Sequence, residues 1–225
     1  MDSHYDDQAD VAAKVAAGLH RELIGGLWDA VGQLQFDYLV AKGLKPRHHL
    51  LDIGCGSLRG GVHFARYLEP AHYWGMDSGQ ALLDAGYEIE LAQAGLQTKV
   101  PRHHLITDDV FRFERFGQRF DMALAQSLFT HLSANRIRLC LHNLAKVMVP
   151  GGRLFATFFI VADDYPLDQA YRHPAGVESW SYQDPFHYKA RDLNSFVAAT
   201  PWQIESLGPW NHPRNQSMAV LRFGG

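Results

Sequence analysis

Between Leu50 and Gly61 the chain reads Leu-Leu-Asp-Ile-Gly-Cys-Gly-Ser-Leu-Arg-Gly-Gly, an apolar run that breaks into a turn with four glycines. A helical stretch, Gly60 to Leu68, follows and is closed by Pro70. Strand, glycine turn and helix in that order open a nucleotide-binding α/β fold. Glycine permits the tight turn and lets a ligand approach the backbone, and such folds bind at the carboxyl ends of their strands.

The rest of the chain keeps the alternation. Upstream, Val11 to Leu23 is weakly amphipathic, and Leu27, Val31, Leu34, Tyr38 and Ala41 fall on one helical face that Gly43 and Pro46 end. Downstream, strands are predicted at His72–Met76, His104–Ile106, Phe120–Ala125 and Arg153–Ile160. Between them, Leu82, Ala85, Ile89 and Ala92 form one helical face, stopped at Gly95. Ile137, Leu141, Leu144 and Met148 form another, with Ser133 as its cap and Pro150-Gly151-Gly152 as its end. Strand and helix in alternation imply right-handed crossovers and a parallel sheet covered on both faces. Trp202–Leu207 and Ser217–Phe223 are joined by Gly208-Pro209-Trp210-Asn211-His212-Pro213, too short for a crossover helix, so the last strand returns antiparallel. The expectation is a Rossmann-like α/β fold with a mostly parallel seven-stranded sheet, an antiparallel C-terminal hairpin and helices on both faces.

The 225 residues suit one large domain: residues 1–46 as an N-terminal helical cap, and 47–225 as the binding domain with an insertion at about 162–190. The 21 basic and 24 acidic residues leave a net charge of -3, without the basic surplus that nucleic-acid binding asks for. Cys55 and Cys140 make neither a disulfide framework nor a zinc spacing, which points to a reducing cytoplasm. Met1 to Asp10 is acidic and polar rather than built like a signal peptide, and the longest apolar run, Leu154 to Ala162, is far below membrane-spanning length.

The turn selects among nucleotides. A dinucleotide fingerprint needs a third glycine where Arg59 stands, and no Gly-Lys-Ser/Thr follows for a Walker loop. Asp52, two residues before Gly54, suits the cationic end of a cofactor better than a pyrophosphate.

Asp52-Ile53-Gly54-Cys55-Gly56 resembles the first motif of the class I S-adenosylmethionine-dependent methyltransferases, and the resemblance covers most of the chain from about Leu50 onward. Tyr73-Trp74-Gly75-Met76-Asp77-Ser78, Asp108-Asp109-Val110, Phe120–Ser127 and Val149–Leu154 fall in that family's order. The resemblance implies S-adenosyl-L-methionine as cofactor, with Asp52, Gly54, Cys55, Gly56, Ser57, Ser78 and Gln126 around it. It implies Asp77 for the ribose hydroxyls and Asp109 and Val110 for adenine. The family pattern has a further glycine where Leu58 stands, so the turn is expected to sit further from the methionine end, with Arg59 either reaching the cofactor carboxylate or facing solvent.

Methyl transfer from a sulfonium needs alignment and, for a protic acceptor, a base. The stretch Gln126–Leu132 has neither the Asp/Asn-Pro-Pro-aromatic motif of amino-group methylation nor the carboxylate cluster of metal-dependent enzymes. The expectation is therefore a metal-independent transfer to a small molecule, at oxygen rather than nitrogen. His131 and His187 are the candidate bases. His187 belongs to the segment Ala162–Ala190, whose Tyr165, Tyr171, Trp180, Tyr182, Phe186 and Tyr188 suggest either a lid walling the acceptor site or a packed aromatic flap. His212, His103 and His104 are expected at the surface or at strand ends. Aminopropyl transfer on the same fold, a non-catalytic cofactor-binding protein and a nicotinamide oxidoreductase stand as alternatives. Neither the acceptor nor the oligomeric state is legible.

Overall fold

The computed structural model describes residues 8–225, so that expectations for Met1–Asp7 lie outside the described residues. The chain forms two compact units, one ending at Asp109 and one running from Val110 to Gly225. The fold is the mostly parallel, Rossmann-like α/β arrangement expected from the sequence.

The first unit opens with three helices, α1 (Gln8–Ala16), α2 (His20–Leu23) and α3 (Trp28–Ala41). The expected single amphipathic stretch over Val11–Leu23 is broken between α1 and α2, where Gly18 takes a φ of 79°. On α3 the buried positions are Val31, Gly32, Gln35 and Leu39, whereas Leu27 precedes the helix and is exposed. The core-facing stripe thus follows i, i+4, i+8 from Val31, one step round from the predicted face.

Strands β1 (Leu50–Ile53), β2 (Tyr73–Asp77) and β3 (Leu105–Thr107) pair in parallel in the order β3-β2-β1. β1 and the first four residues of β2 are wholly buried, which is why both read as continuous apolar runs. Helix α4 (Gly61–Tyr67) connects β1 to β2. Helix α5 (Gln80–Ala85) continues into a π-helical turn, Gly86–Leu91. The widened turn rotates the face that follows. Glu90 and Leu91 are buried and Ala92 is exposed, so the predicted stripe of Ile89 and Ala92 is displaced.

At Leu58, where the related pattern carries glycine, φ is 69°. A left-handed non-glycine residue costs about 1–2 kcal/mol. Here the leucine side chain is fully buried and interlocks with Gly86, where a Cβ would come within 2.6 Å of Leu58 Cγ. Burial of a leucine returns about 1.5–3 kcal/mol, enough to hold the strained backbone in place.

In the second unit β4 (Phe120–Ala125) pairs in parallel with β5 (Met148–Val161), and β10 (Ser217–Phe223) lies antiparallel between β5 and β9 (Trp202–Pro209). The terminal hairpin is as predicted. Helix α6 (Ala134–Ala145) buries Ile137, Cys140, Leu141 and Leu144. Met148, expected on that helix, instead opens β5, and Pro150-Gly151-Gly152 lies within the strand. Phe120 pairs with Met148 but Met122 with Arg153, and this irregularity absorbs the extra residues around Gly151, whose φ is 77°. Ser133 stands at the N-cap without a side-chain capping bond.

The aromatic segment is ordered. β6 (Tyr171–Arg172) and β7 (Glu178–Ser179) pair with each other, and β8 (His187–Lys189) adds in parallel to Phe159–Val161 of β5, ahead of α7 (Asp192–Val197). No described helix is long and apolar enough to cross a membrane.

Candidate functional site

In the first unit the strand ends converge on Asp77. Its carboxylate accepts the Gly56 N–H on Oδ2 at 2.8 Å and the Gly79 N–H on Oδ1 at 2.9 Å. Two backbone donors fix the carboxylate plane, and an ionised carboxylate has about four acceptor sites, so each oxygen can take a further donor. Burial pushes this carboxyl above its ordinary value, although the backbone N–H groups of Gly79, Gly56 and Ser78 act against that. The Asp108 N–H donates to the Asp77 carbonyl at 3.0 Å, which brings the end of β3 beside that of β2. Ser78 and Asp109 are exposed there, and Asp108 is buried.

The turn itself is tied inward. The N–H groups of Gly54 and Cys55 both donate to the Met76 carbonyl, at 2.7 and 3.2 Å. Burial raises the Cys55 thiol well above its usual value, so it is no nucleophile. Asp52 is buried, accepts the Tyr73 hydroxyl at 2.8 Å, and is pushed up to about 7 by that burial. Arg59 is neither at the surface nor extended from the turn. It is 7% exposed, and its Nη1 donates to the carbonyls of Ile24 and Gly26 at 3.0 and 2.8 Å. Ser57 is fully buried, with its hydroxyl on the His20 carbonyl at 3.3 Å.

In the second unit β4 ends in a buried polar group. Gln126 lies 2.7 Å from Ser127 Oγ and 3.3 Å from His212 Nε2, and the Gln216 amide reaches Ser127 Oγ at 2.9 Å. Ser127 takes a φ of 55°, held by its N–H on Thr157 Oγ1 at 2.7 Å. Strain of this kind accumulates where surrounding contacts over-determine it, and active sites are frequent examples. Of the three histidines expected at the surface or at strand ends, His212 is only 8% exposed, His104 is buried and stacked on Trp74 directly before β3, and His103 is exposed. Val110 is exposed, and its carbonyl accepts from Asn143 Nδ2 at 3.4 Å.

The two histidine candidates separate clearly. His131 Nδ1 lies 2.5 Å from Asp184 Oδ1, with the two side chains 25% and 12% exposed. The aromatic segment is bonded on both sides of that pair: the Phe186 N–H donates to the Thr130 carbonyl at 2.6 Å, and the Tyr188 hydroxyl to the Leu132 carbonyl. His187 is 3% exposed, and its Nδ1 is 3.0 Å from Ser179 Oγ, which lies 2.7 Å from His173 Nε2. Burial lowers His187 below its ordinary value. It lines a cavity of about 200 Å³ with Leu167, Ser181, Lys189, Asp192 and Phe196. That is smaller than the ~300–1,000 Å³ of drug-sized ligand sites.

Residues 51–154 match a family described as a methyltransferase domain, and the match spans the glycine turn, Asp77, Asp109 and the whole of β4. The chain carries a methyltransferase domain. The methyltransferase is 22% identical to an O-methyltransferase of Pyrenophora dematioidea over 215 residues, covering 89% of this chain and 74% of that one. Its fold is similar to that of magnesium protoporphyrin IX methyltransferase from Synechocystis PCC 6803 with bound S-adenosylmethionine, with a TM-score of 0.63 at 16% identity and 99% coverage of both chains. It is similar also to the CcbJ methyltransferase of Streptomyces caelestis, with a TM-score of 0.67 at 13% identity, covering 86% of this chain and 90% of the other.

Two features of this methyltransferase have no counterpart in the sequence reading. Asp184, 53 positions from its partner His131, carried no motif. His20 of α2 and Glu90, 70 positions apart, pair at 2.7 Å. A local pattern signals neither; only a carboxylate and a histidine placed at plausible strand ends could have hinted at the first.

Proposed function

We propose that this methyltransferase methylates an oxygen atom of a small-molecule acceptor without a metal, and that His131 takes the acceptor's proton. The observation that carries the reading is the His131–Asp184 pair. A carboxylate on Nδ1 holds the Nδ1–H tautomer and leaves Nε2 as the basic nitrogen, the arrangement by which carboxylates orient catalytic histidines. At 25% exposure the ring can meet a substrate, whereas His187 is sealed against Ser179. The O-methyltransferase description of the Pyrenophora relative supports oxygen as the acceptor atom.

The residues present fit the cofactor. In this reading Asp77, fixed by two backbone donors, accepts the two ribose hydroxyls, and the exposed Asp109 takes the adenine amino group beside the Val110 N–H. Ser78 and the backbone of Gly56 and Ser57 line the turn, and Gln126 closes the fourth strand as a further contact. Bound S-adenosylmethionine supplies an activated methyl on a sulfonium, so the chain's part is alignment and proton removal. The methyl would leave its sulfur, giving the neutral thioether, as the acceptor oxygen takes it, and His131 would accept the hydroxyl proton while Asp184 stabilises the imidazolium. The aromatic segment at about 162–190 is a wall of the acceptor site beside His131 in this reading.

Incubation with labelled cofactor and a panel of phenols, carboxylic acids and amines tests the reading. Label is expected in phenols or carboxylic acids. His131→Ala is expected to lower kcat by about 10²–10⁴ with unchanged affinity for S-adenosylhomocysteine, and Asp184→Asn to lower kcat by a smaller factor. Transfer to amines alone, or full activity in His131→Ala, contradicts it.

A further inference from the structure

His20 is 6% exposed, and its Nε2 lies 2.7 Å from Glu90 Oε1. The same carboxylate accepts Arg21 through Nε on Oε1 and Nη2 on Oε2, each at 2.7 Å. Burial pushes the Glu90 carboxyl up, but the hydrogen bonds from Arg21 and His20 outweigh it and leave the group below its ordinary value. An ionised carboxylate only accepts, so the ring proton of His20 sits on Nε2 and, in the neutral imidazole, Nδ1 is an acceptor. That Nδ1 is buried and makes no hydrogen bond among the described residues. Buried polar atoms nearly always find partners, and His20 Nδ1 is one of five buried side-chain atoms among the described residues that lack one within the chain; of these it is the one on the residue whose carbonyl is held by Ser57 of the glycine turn.

The segment carrying His20 lies on the glycine turn. Ile24 packs so closely on Gly56 that a Cβ there would meet Ile24 Cγ2 at 2.8 Å. Ser57 Oγ donates to the His20 carbonyl, and Arg59 to the carbonyls of Ile24 and Gly26. Three positions of the turn thus grip residues 20–26. The acid expected to receive a cationic ligand end, Asp52, is engaged by Tyr73 and raised to about 7 by burial.

We propose that His20 Nδ1 accepts a hydrogen bond from the α-ammonium of S-adenosylmethionine, with Glu90 and Arg21 fixing the ring for that role. The proposal rests on the reading that the turn holds the cofactor. The ammonium brings the donors that the buried Nδ1 lacks, and the ring's tautomer, set by Glu90, is the one that accepts. Glu90 is a positioning residue, held in the core by the π-helical turn.

Calorimetric titration separates the possibilities. His20→Phe keeps an aromatic ring but no acceptor, and is expected to weaken S-adenosylhomocysteine binding about 10-fold. With an analogue that lacks the α-amino group, wild type and His20→Phe are expected to bind equally. His20→Asn, whose amide oxygen falls near the Nδ1 position, is expected to recover part of the loss. Equal weakening for both ligands, or no weakening for either, overturns the proposal while leaving the cofactor reading intact. Absence of any binding by the wild type overturns both. Should His20→Phe not fold, the ¹⁵N shift of His20 Nδ1 in the wild type decides: it is expected to move on addition of S-adenosylhomocysteine, and an unmoved signal in the saturated protein overturns the assignment.

Discussion

Asp77→Asn is expected to weaken S-adenosylhomocysteine binding by roughly 100-fold or more, the largest single effect available in the first unit. The reason is the number of bonds that meet on one group. Asp77 already takes the N–H groups of Gly56 and Gly79, and in the proposed complex it takes two ribose hydroxyls as well. Hydrogen bonds to a charged group contribute about 1.5–3 kcal/mol each, so losing the charge and one acceptor oxygen removes about 3 kcal/mol or more. The new amide NH₂ also faces a backbone N–H, which turns an attraction into a repulsion between donors. Calorimetry with the variant checks this, alongside a thermal melt to show that it folds. A change below about threefold contradicts the role assigned to Asp77.

The second large effect concerns acid. His104 is 4% exposed and stacked on Trp74 with ring centroids 3.3 Å apart. Burial, helped by the nearby His103 and His49, lowers its pKa from 6.5 to about 4, although the Tyr73 carbonyl opposes the shift. Burial lowers His173 to about 4 as well. A histidine that titrates at about 4 when folded and near 6.5 when unfolded stays neutral in the fold, while the unfolded chain takes up the proton first. Its stabilising contribution is therefore complete above about pH 6.5 and is lost as pH falls towards 4. At pH 4.5 the loss is about 2.5 kcal/mol for each such histidine. Asp52 acts in the opposite sense: with its carboxyl raised to about 7, falling pH relieves the cost of a buried charge. The two effects separate in a variant. The stability lost between pH 7 and pH 4.5, read from denaturant melts, is expected to be about 2.5 kcal/mol smaller in His104→Gln than in the wild type. An unchanged loss contradicts the assignment to His104.

What the sequence discloses depends on the range of the interaction. The strands, the glycine turn and the terminal hairpin rest on local patterns that survive folding: runs of apolar residues, glycines at tight bends and a linker too short for a helix. Leu50–Ile53 and Ser217–Phe223 are recovered residue for residue. Where a local irregularity enters, the pattern misleads. The π-helical turn at Gly86–Leu91 turns Glu90 inward, and the register break opposite Phe120 takes Met148 out of its helix and into β5. The site follows the same division. Asp77, the acid expected to hold the ribose, could be picked out because it ends β2, 21 positions after Gly56; Asp184 and Glu90 could not, because each is paired with a histidine more than 50 positions away. Arg59 was visible but its partners were not: the sequence leaves it either reaching a ligand carboxylate or facing solvent, and only the fold reveals that it holds the carbonyls of Ile24 and Gly26.

The most direct test is a crystal structure of the full chain with S-adenosylhomocysteine. The account requires the ribose hydroxyls on the Asp77 carboxylate and the adenine beside Asp109. A nucleoside bound elsewhere, or a ribose that leaves Asp77 with Gly56 and Gly79 alone, contradicts it.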